Sequence, residues 1–240
     1  MDTQHEIFGA MVAQGWTLIA ISGDHGSTSD CQTVSVAWPG DDPYMLTVGG
    51  TKLRLKEGTP LEPTEVAWTG GTASGSCSTN NDGGSGGGCS KVFAAPDYQQ
   101  QNPACGASSR SVPDLALNAD PNTSQTVYVQ GLSKDVGGTS IAGPEMAGFF
   151  AQENAYLLYI GAVMGADCNG LTPCAPLGQP NQVIYDEGFN AFAPHYPFYD
   201  ITMGCNSNDV TIANELSAYC AATGYDLASN WMAFACLEKR

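Results

Sequence analysis

The sequence is poor in positive charge. Its 240 residues hold 8 lysines and arginines against 24 aspartates and glutamates, a formal net charge of -16. The basic footprint needed to bind nucleic acid or an anionic membrane surface is missing. No apolar run approaches the roughly 20 residues of a membrane-spanning helix. The nine cysteines never form Cys-x-x-Cys, which argues against a structural zinc site or a dithiol redox motif. Glycine and proline are plentiful, at 29 and 14 residues, but show no fixed period, so a collagen-like chain is excluded and a loop-rich globular one remains. With 42% of residues apolar and 13% charged, there is material for a sizeable core, in one large domain or two small ones.

The cysteines, at 31, 77, 89, 105, 168, 174, 205, 220 and 236, read best as disulfide formers, which implies an oxidising compartment. Asn122-Thr123-Ser124 is an acceptor triplet for N-glycosylation that fits such a compartment. The odd count calls for a free thiol or a partner elsewhere in the protein. Met1 runs straight into an amphipathic segment with no basic n-region, apolar h-region or cleavage site of a signal peptide. The expectation is a single domain over residues 1–240 that lacks its N-terminal part.

Thr3 and Glu6 have capping-box spacing, Ile7, Ala10 and Met11 share a helical face, and Gly15 stands where a C-terminal cap would, so a helix opens the chain. The apolar run Trp16–Ile21 reads as a strand buried on both faces, as in a parallel sheet. Further strands are expected over 44–48, 52–55, 112–117 and 126–130, between Gly, Pro, Asn and Asp clusters. Residues 80–88 read as the most flexible stretch. A long helix is expected from Pro144, which suits a first helical position, to about Ile160. Shorter helices are expected over 181–192 and 212–222. Helix into buried strand indicates an α/β fold.

Gly137-Gly138-Thr139-Ser140 puts a serine in a glycine-lined turn at the start of the long helix. Unpaired N–H groups and the helix dipole there stabilise an anion forming on or beside a nucleophile, although serine also serves as a plain helix cap. Further strings resolve this choice. GGTSIAGP (137–144), Ser22-Gly23-Asp24-His25-Gly26, WPGDDPYMLTVGGT (38–51), SGGGCSKVFAAPDYQ (85–99) and RSVPDLALNADP (110–121) together resemble, in order, the motifs of the sedolisin family of serine-carboxyl peptidases. The likeness runs from about Phe8 to Asp226. Subtilases proper require a histidine base in a context that His5, His25 and His195 do not offer.

The resemblance implies a subtilisin-like parallel sheet flanked by helices, with a loop-rich calcium-binding C-terminal part. It makes Ser140 the nucleophile and Asp24 the oxyanion stabiliser. A carboxyl group donates a hydrogen bond to a developing oxyanion only while protonated, so acidic working pH follows. FYDITMGCN (198–206) and ATGYD (222–226) resemble the two halves of the family's calcium site. One Ca2+ would be held by Asp200, Ile201, Gly224 and Asp226, with Ala222 a further carbonyl where the family has glycine; oxygen ligands suit that ion. Glycines 86–88 and residues 21–24 would border the channel for unfolded protein or peptide substrates. The compartment implied is secreted, or acidic like a lysosome or vacuole.

The family's base, a glutamate with an aspartate four residues later, sits roughly eighty residues before the oxyanion-hole aspartate, and 23 residues precede Asp24. Asp2 and Glu6 share a helical face in the wrong order and place. Little peptidase activity is therefore expected of the chain alone, with the missing N-terminal part as its partner. The alternatives are a calcium-stabilised peptide-binding pseudopeptidase and a disulfide-rich adhesion domain, which would hold Asp24 and Ser140 far apart.

Overall fold

A computed structural model describes residues 2–30, 33–54, 64–72, 82–101, 104–164, 176–189, 198–206, 211–212, 215–216, 218–229 and 233–234. The chain opens with helix α1 (Asp2–Ala13). Gly15 ends it in the left-handed region (φ +86°), and Trp16 N–H donates to the Met11 carbonyl at 3.1 Å, the six-residue closure that glycine permits after a helix.

A mixed sheet forms the centre. Strand β1 (Ile19–Ile21) pairs in parallel with β2 (Leu46–Arg54), whose C-terminal half also takes the antiparallel β3 (Thr64–Ala67). Next come β4 (Leu115–Asn118), parallel to β2, then β6 (Ala233–Phe234), parallel to β4, and β5 (Phe198–Tyr199), antiparallel to β6. Helix α2 (Thr139–Met164) lies across β1, β2 and β4. Its Ala142, Met146 and Phe150 join Leu46, Val48, Leu115, Trp68 and Ile184 of helix α3 (Asn181–Phe189) in the main core. The α/β expectation is met, because the apolar stripe of α2 needs a sheet face to cover.

Four local readings change. First, α2 begins at Thr139, with Pro144 inside it rather than leading it. Proline there forgoes one bond, the one its N–H would give the Ser140 carbonyl, and core packing of the helix outweighs that loss. Second, β1 is three residues long, and Trp16 and Ile21 are 55% and 38% exposed, so the run is not buried on both faces. Third, the described residues within 212–222 are not helical. Thr211–Ile212 and Glu215–Leu216 pair antiparallel, and Ala221 N–H donates to the Gly204 carbonyl and Asn206 N–H to the Tyr219 carbonyl, at 2.8 and 2.9 Å. Fourth, residues 83–88 are buried, the opposite of a mobile loop. An exposed hairpin, Gln125–Val129 with Leu132–Val136, turns through Gln130 and Gly131 at positive φ and leads into the Ser140 turn. Its first strand was expected; its polar return strand was not.

Disulfides join Cys89 to Cys105 and Cys205 to Cys220. The other five cysteines of the nine lie outside the described residues.

Candidate active site

The turn after β1 carries Asp24, and three backbone bonds hold that turn in place. Gly84 N–H donates to the Asp24 carbonyl (3.0 Å), Gly86 N–H to the Gly23 carbonyl (2.7 Å), and Gly26 N–H to the Gly84 carbonyl (3.0 Å). Gly23 itself takes φ +94°, which a β-carbon disfavours. The result is a half-buried Asp24 side chain aimed at the start of α2.

There Asp24 Oδ1 accepts two bonds from one residue, from Thr139 N–H and from Thr139 Oγ1, each at 2.7 Å. Thr139 immediately precedes Ser140, which is exposed in the first turn of the helix. Asp24 thus meets Thr139, 115 residues away in sequence, at the helix N-terminus that also carries Ser140. The adhesion-domain alternative, which keeps Asp24 and Ser140 apart, does not agree with this placement.

Thr139 and Gly138 were not singled out from the sequence, and both matter. Gly138 adopts φ +86°, and a β-carbon on it would lie 2.5 Å from Asp24 Oδ2, so only glycine lets the carboxyl approach. The signal that could have found them was the unbroken Gly-Thr-Ser string itself. With Oδ1 taken by two donors, Oδ2 is the oxygen left to carry a proton when the carboxyl is neutral. Among the described residues, no side chain hydrogen-bonds to Ser140 Oγ. A hydroxyl without a base is a poor nucleophile.

The glycines at 86 to 88 lie against the protein's own chain on the side where a side chain would stand. A β-carbon on Gly86 would lie 1.8 Å from the Ser22 carbonyl oxygen, one on Gly87 2.0 Å from that of Leu227, and one on Gly88 2.9 Å from the Tyr219 ring. The protein's own chain packs against these three positions, and this segment anchors the Asp24 turn.

Away from the helix, Asp200 and Asp226 stand on two loops tied by Cys205–Cys220. Gly224 N–H, on a residue at φ +83°, donates to Asp200 Oδ2 at 3.0 Å. Asp226 Oδ1 accepts from Ala228 N–H and Ser229 N–H, both at 2.8 Å, and its Oδ2 accepts from Ala222 N–H at 3.2 Å. Burial pushes the Asp226 carboxyl up to about 6 and raises that of Asp200 as well. Asp200 Oδ1 is buried and has no partner among the described residues, while Ile201 is fully buried. An orphaned carboxylate oxygen, on a loop held to the one that carries a second desolvated carboxylate, fits a hard cation with oxygen ligands. No cluster of three or more His, Cys, Asp or Glu occurs among the described residues, so backbone carbonyls would have to complete such a site.

The Arg110 and Asp114 of RSVPDLALNADP are fully buried and paired with each other, at 2.6 Å, so that string reports on the core and not on chemistry.

No family model matches the chain. Kumamolisin of Bacillus sp. (strain MN-32) is 35% identical over 224 residues, covering 89% of this chain and 34% of that protein. Sedolisin of Pseudomonas sp. (strain 101) is 30% identical over 159 residues, 63% of this chain and 26% of that protein. Tripeptidyl-peptidase 1 of Canis lupus familiaris is 27% identical over 248 residues, 93% of this chain and 36% of that protein. The chain therefore spans about a third of the length of these relatives. Among solved structures, Pseudomonas sedolisin (serine-carboxyl proteinase), complexed with two molecules of pseudo-iodotyrostatin, superposes with a TM-score of 0.73 at 26% identity, over 96% of this chain and 56% of that one. In sequence and in fold, this chain is a homologue of the sedolisin family, with its α/β subtilisin-like architecture.

Proposed function

We propose that the chain supplies the nucleophile and the oxyanion acid of a serine-type acid peptidase acting on unfolded protein or peptides. The observation that carries this reading is the double hydrogen bond from Thr139 to Asp24 beside the exposed Ser140. In the proposed reaction Ser140 Oγ attacks the scissile carbonyl carbon. The oxyanion forms against the helix N-terminus, and Asp24, protonated on Oδ2, donates to it. Ionised Asp24 would repel the same charge, which sets an acidic working range.

The base that takes the Ser140 proton would come from polypeptide beyond these 240 residues, a glutamate oriented by an aspartate as the resemblance implies. A longer protein containing this chain should cleave denatured protein near pH 4, and Ser140→Ala should lower kcat by about 10³-fold or more. Unchanged cleavage by the Ser140→Ala protein would end the assignment. Calcium-stabilised peptide binding without cleavage in the longer protein, with the site intact, would favour the pseudopeptidase reading. The two disulfides suit a secreted or acidic vesicular setting.

Asp200 and Asp226, with carbonyls of Ile201, Gly224 and Ala222, would hold one Ca2+. When bound, the ion would neutralise the half-buried Asp200 and the buried Asp226 and clamp their loops together. Burial also raises the carboxyls of Asp41 and Glu65, which stand outside that site. Just above the ordinary carboxylate range the native chain then binds more protons than the unfolded one, so these groups make stability fall as pH rises toward neutral. Denaturant midpoints should accordingly decline from about pH 4.5 to pH 7 in the Asp41→Asn protein less steeply than in the parent. At pH 7, calcium should raise the midpoint of the parent over that in chelator, and Asp200→Asn should abolish the gain. Equal midpoints with and without calcium in the parent would remove the ion from the proposal.

A further inference from the structure

We propose that Asn122 is the attachment site of an N-linked glycan. Asn122-Thr123-Ser124 is the sole Asn-x-Ser/Thr triplet in the chain, and its middle residue is not proline. The structure puts it where an acceptor must be reachable. Asp120 caps a short 3-10 turn, Pro121–Thr123, by accepting from Asn122 N–H at 2.8 Å, and the Asn122 side chain is exposed on that turn. Pro121, next to it, packs inward, since a β-carbon on Gly137 would lie 2.6 Å from Pro121 Cα. A saccharide at Asn122 therefore leaves the Gly137–Ser140 segment in place.

The amide is also suited to hold a sugar once attached. Asn122 Nδ2 donates to Asp120 Oδ1 at 3.0 Å, and an amide nitrogen carries two hydrogens. One can be replaced by the sugar while the other keeps the bond to Asp120, itself paired with Lys52 at 2.5 Å. The glycan stem would then leave the surface from an anchored side chain. In the transfer, Nδ2 forms a bond to C1 of an oligosaccharide carried on a polyisoprenyl diphosphate. The C1–O bond breaks, the lipid diphosphate leaves with the electron pair, and the displaced amide proton goes to a base of the transferase. The disulfides Cys89–Cys105 and Cys205–Cys220 point to a compartment in which such transfer takes place.

The test is expression of all 240 residues behind a cleavable secretion leader in a eukaryotic cell, followed by peptide-N-glycosidase digestion. Parent and Ser124→Thr proteins should each lose mass in a single step, whereas Asn122→Gln and Ser124→Ala should run at the digested position from the start. Translation of the same set with microsomes gives the same readout for any variant that fails to fold, because transfer precedes folding. A parent chain that loses its leader in the microsomes yet shows no glycosidase-sensitive shift would overturn the proposal. So would a shift that persists in Asn122→Gln.

Discussion

Asp114→Asn is expected to cost about 3 to 5 kcal/mol of folding stability, a large part of the roughly 5 to 15 kcal/mol that holds a typical domain together. Arg110 and Asp114 are both fully buried, and the guanidinium meets the carboxylate in two bonds, at 2.9 and 2.6 Å. The same carboxylate accepts from Thr47 N–H at 2.7 Å and from the Tyr185 hydroxyl at 3.0 Å, which joins β2 and α3 to β4. Burial by itself lowers the arginine's hold on its proton, but the adjacent Asp114 more than offsets this and keeps it firmly protonated. Asparagine would leave that cation buried without a counter-charge and turn an N–H₂ group toward donors. Replacing both members, as Arg110→Met with Asp114→Leu, is expected to cost less than Asp114→Asn, since no charge is then stranded. Denaturant unfolding of the three proteins measures this. A loss within about 1 kcal/mol for Asp114→Asn, the scale of a solvated pair, would mean that the pair is not buried as described.

Gly86→Ala should be the most damaging exchange of a glycine near the site. Its β-carbon would sit 1.8 Å from the Ser22 carbonyl oxygen and 2.4 Å from the carbon that bears it. Both partners are main chain, so no side chain can swing aside. Overpacking usually costs about 1 to 3 kcal/mol, and a clash between two backbones belongs at or above the top of that span. Relief requires moving the Ser22–Asp24 turn, which also breaks the two bonds from Thr139 to Asp24. Gly148→Ala is the control. It lies in α2 with no described residue within 4 Å of the added carbon, and should stabilise by up to about 1 kcal/mol through helix propensity. Matched denaturant midpoints, with hydrogen exchange over residues 19–26 and 138–142, report both effects. Equal stability for Gly86→Ala and the parent would show that the glycine segment is not the anchor of the Asp24 turn.

Much was legible along the chain. The opening helix and its Gly15 cap, the alternation of helix and apolar strand, and the order of the motifs all pointed to an α/β peptidase fold. Each of these signals is local, set by side-chain periodicity, by capping or by a short string of neighbours. Where the reading went astray, tertiary terms outweighed local preference. Pro144 marks a helix start by propensity, yet packing of Ala142 and Met146 draws the helix back to Thr139. Residues 218–222 are compatible with a helix, but the Cys205–Cys220 link and the bonds to Gly204 and Asn206 commit their backbone to an antiparallel bridge with residues 204–206.

By itself the sequence determined the residue types: a serine at a helix N-terminus, an aspartate in a glycine turn, and two aspartates in C-terminal loops. Only the tertiary structure decided that Asp24 takes hold of Thr139, that Gly138 and Gly86 are glycines for lack of room, and that the Asp114 carboxylate meets Thr47 and Tyr185 in the core. Periodicity and caps act over a few residues and can be read in order. Contacts between residues 60 to more than 100 positions apart exist only once the sheet has brought their strands together.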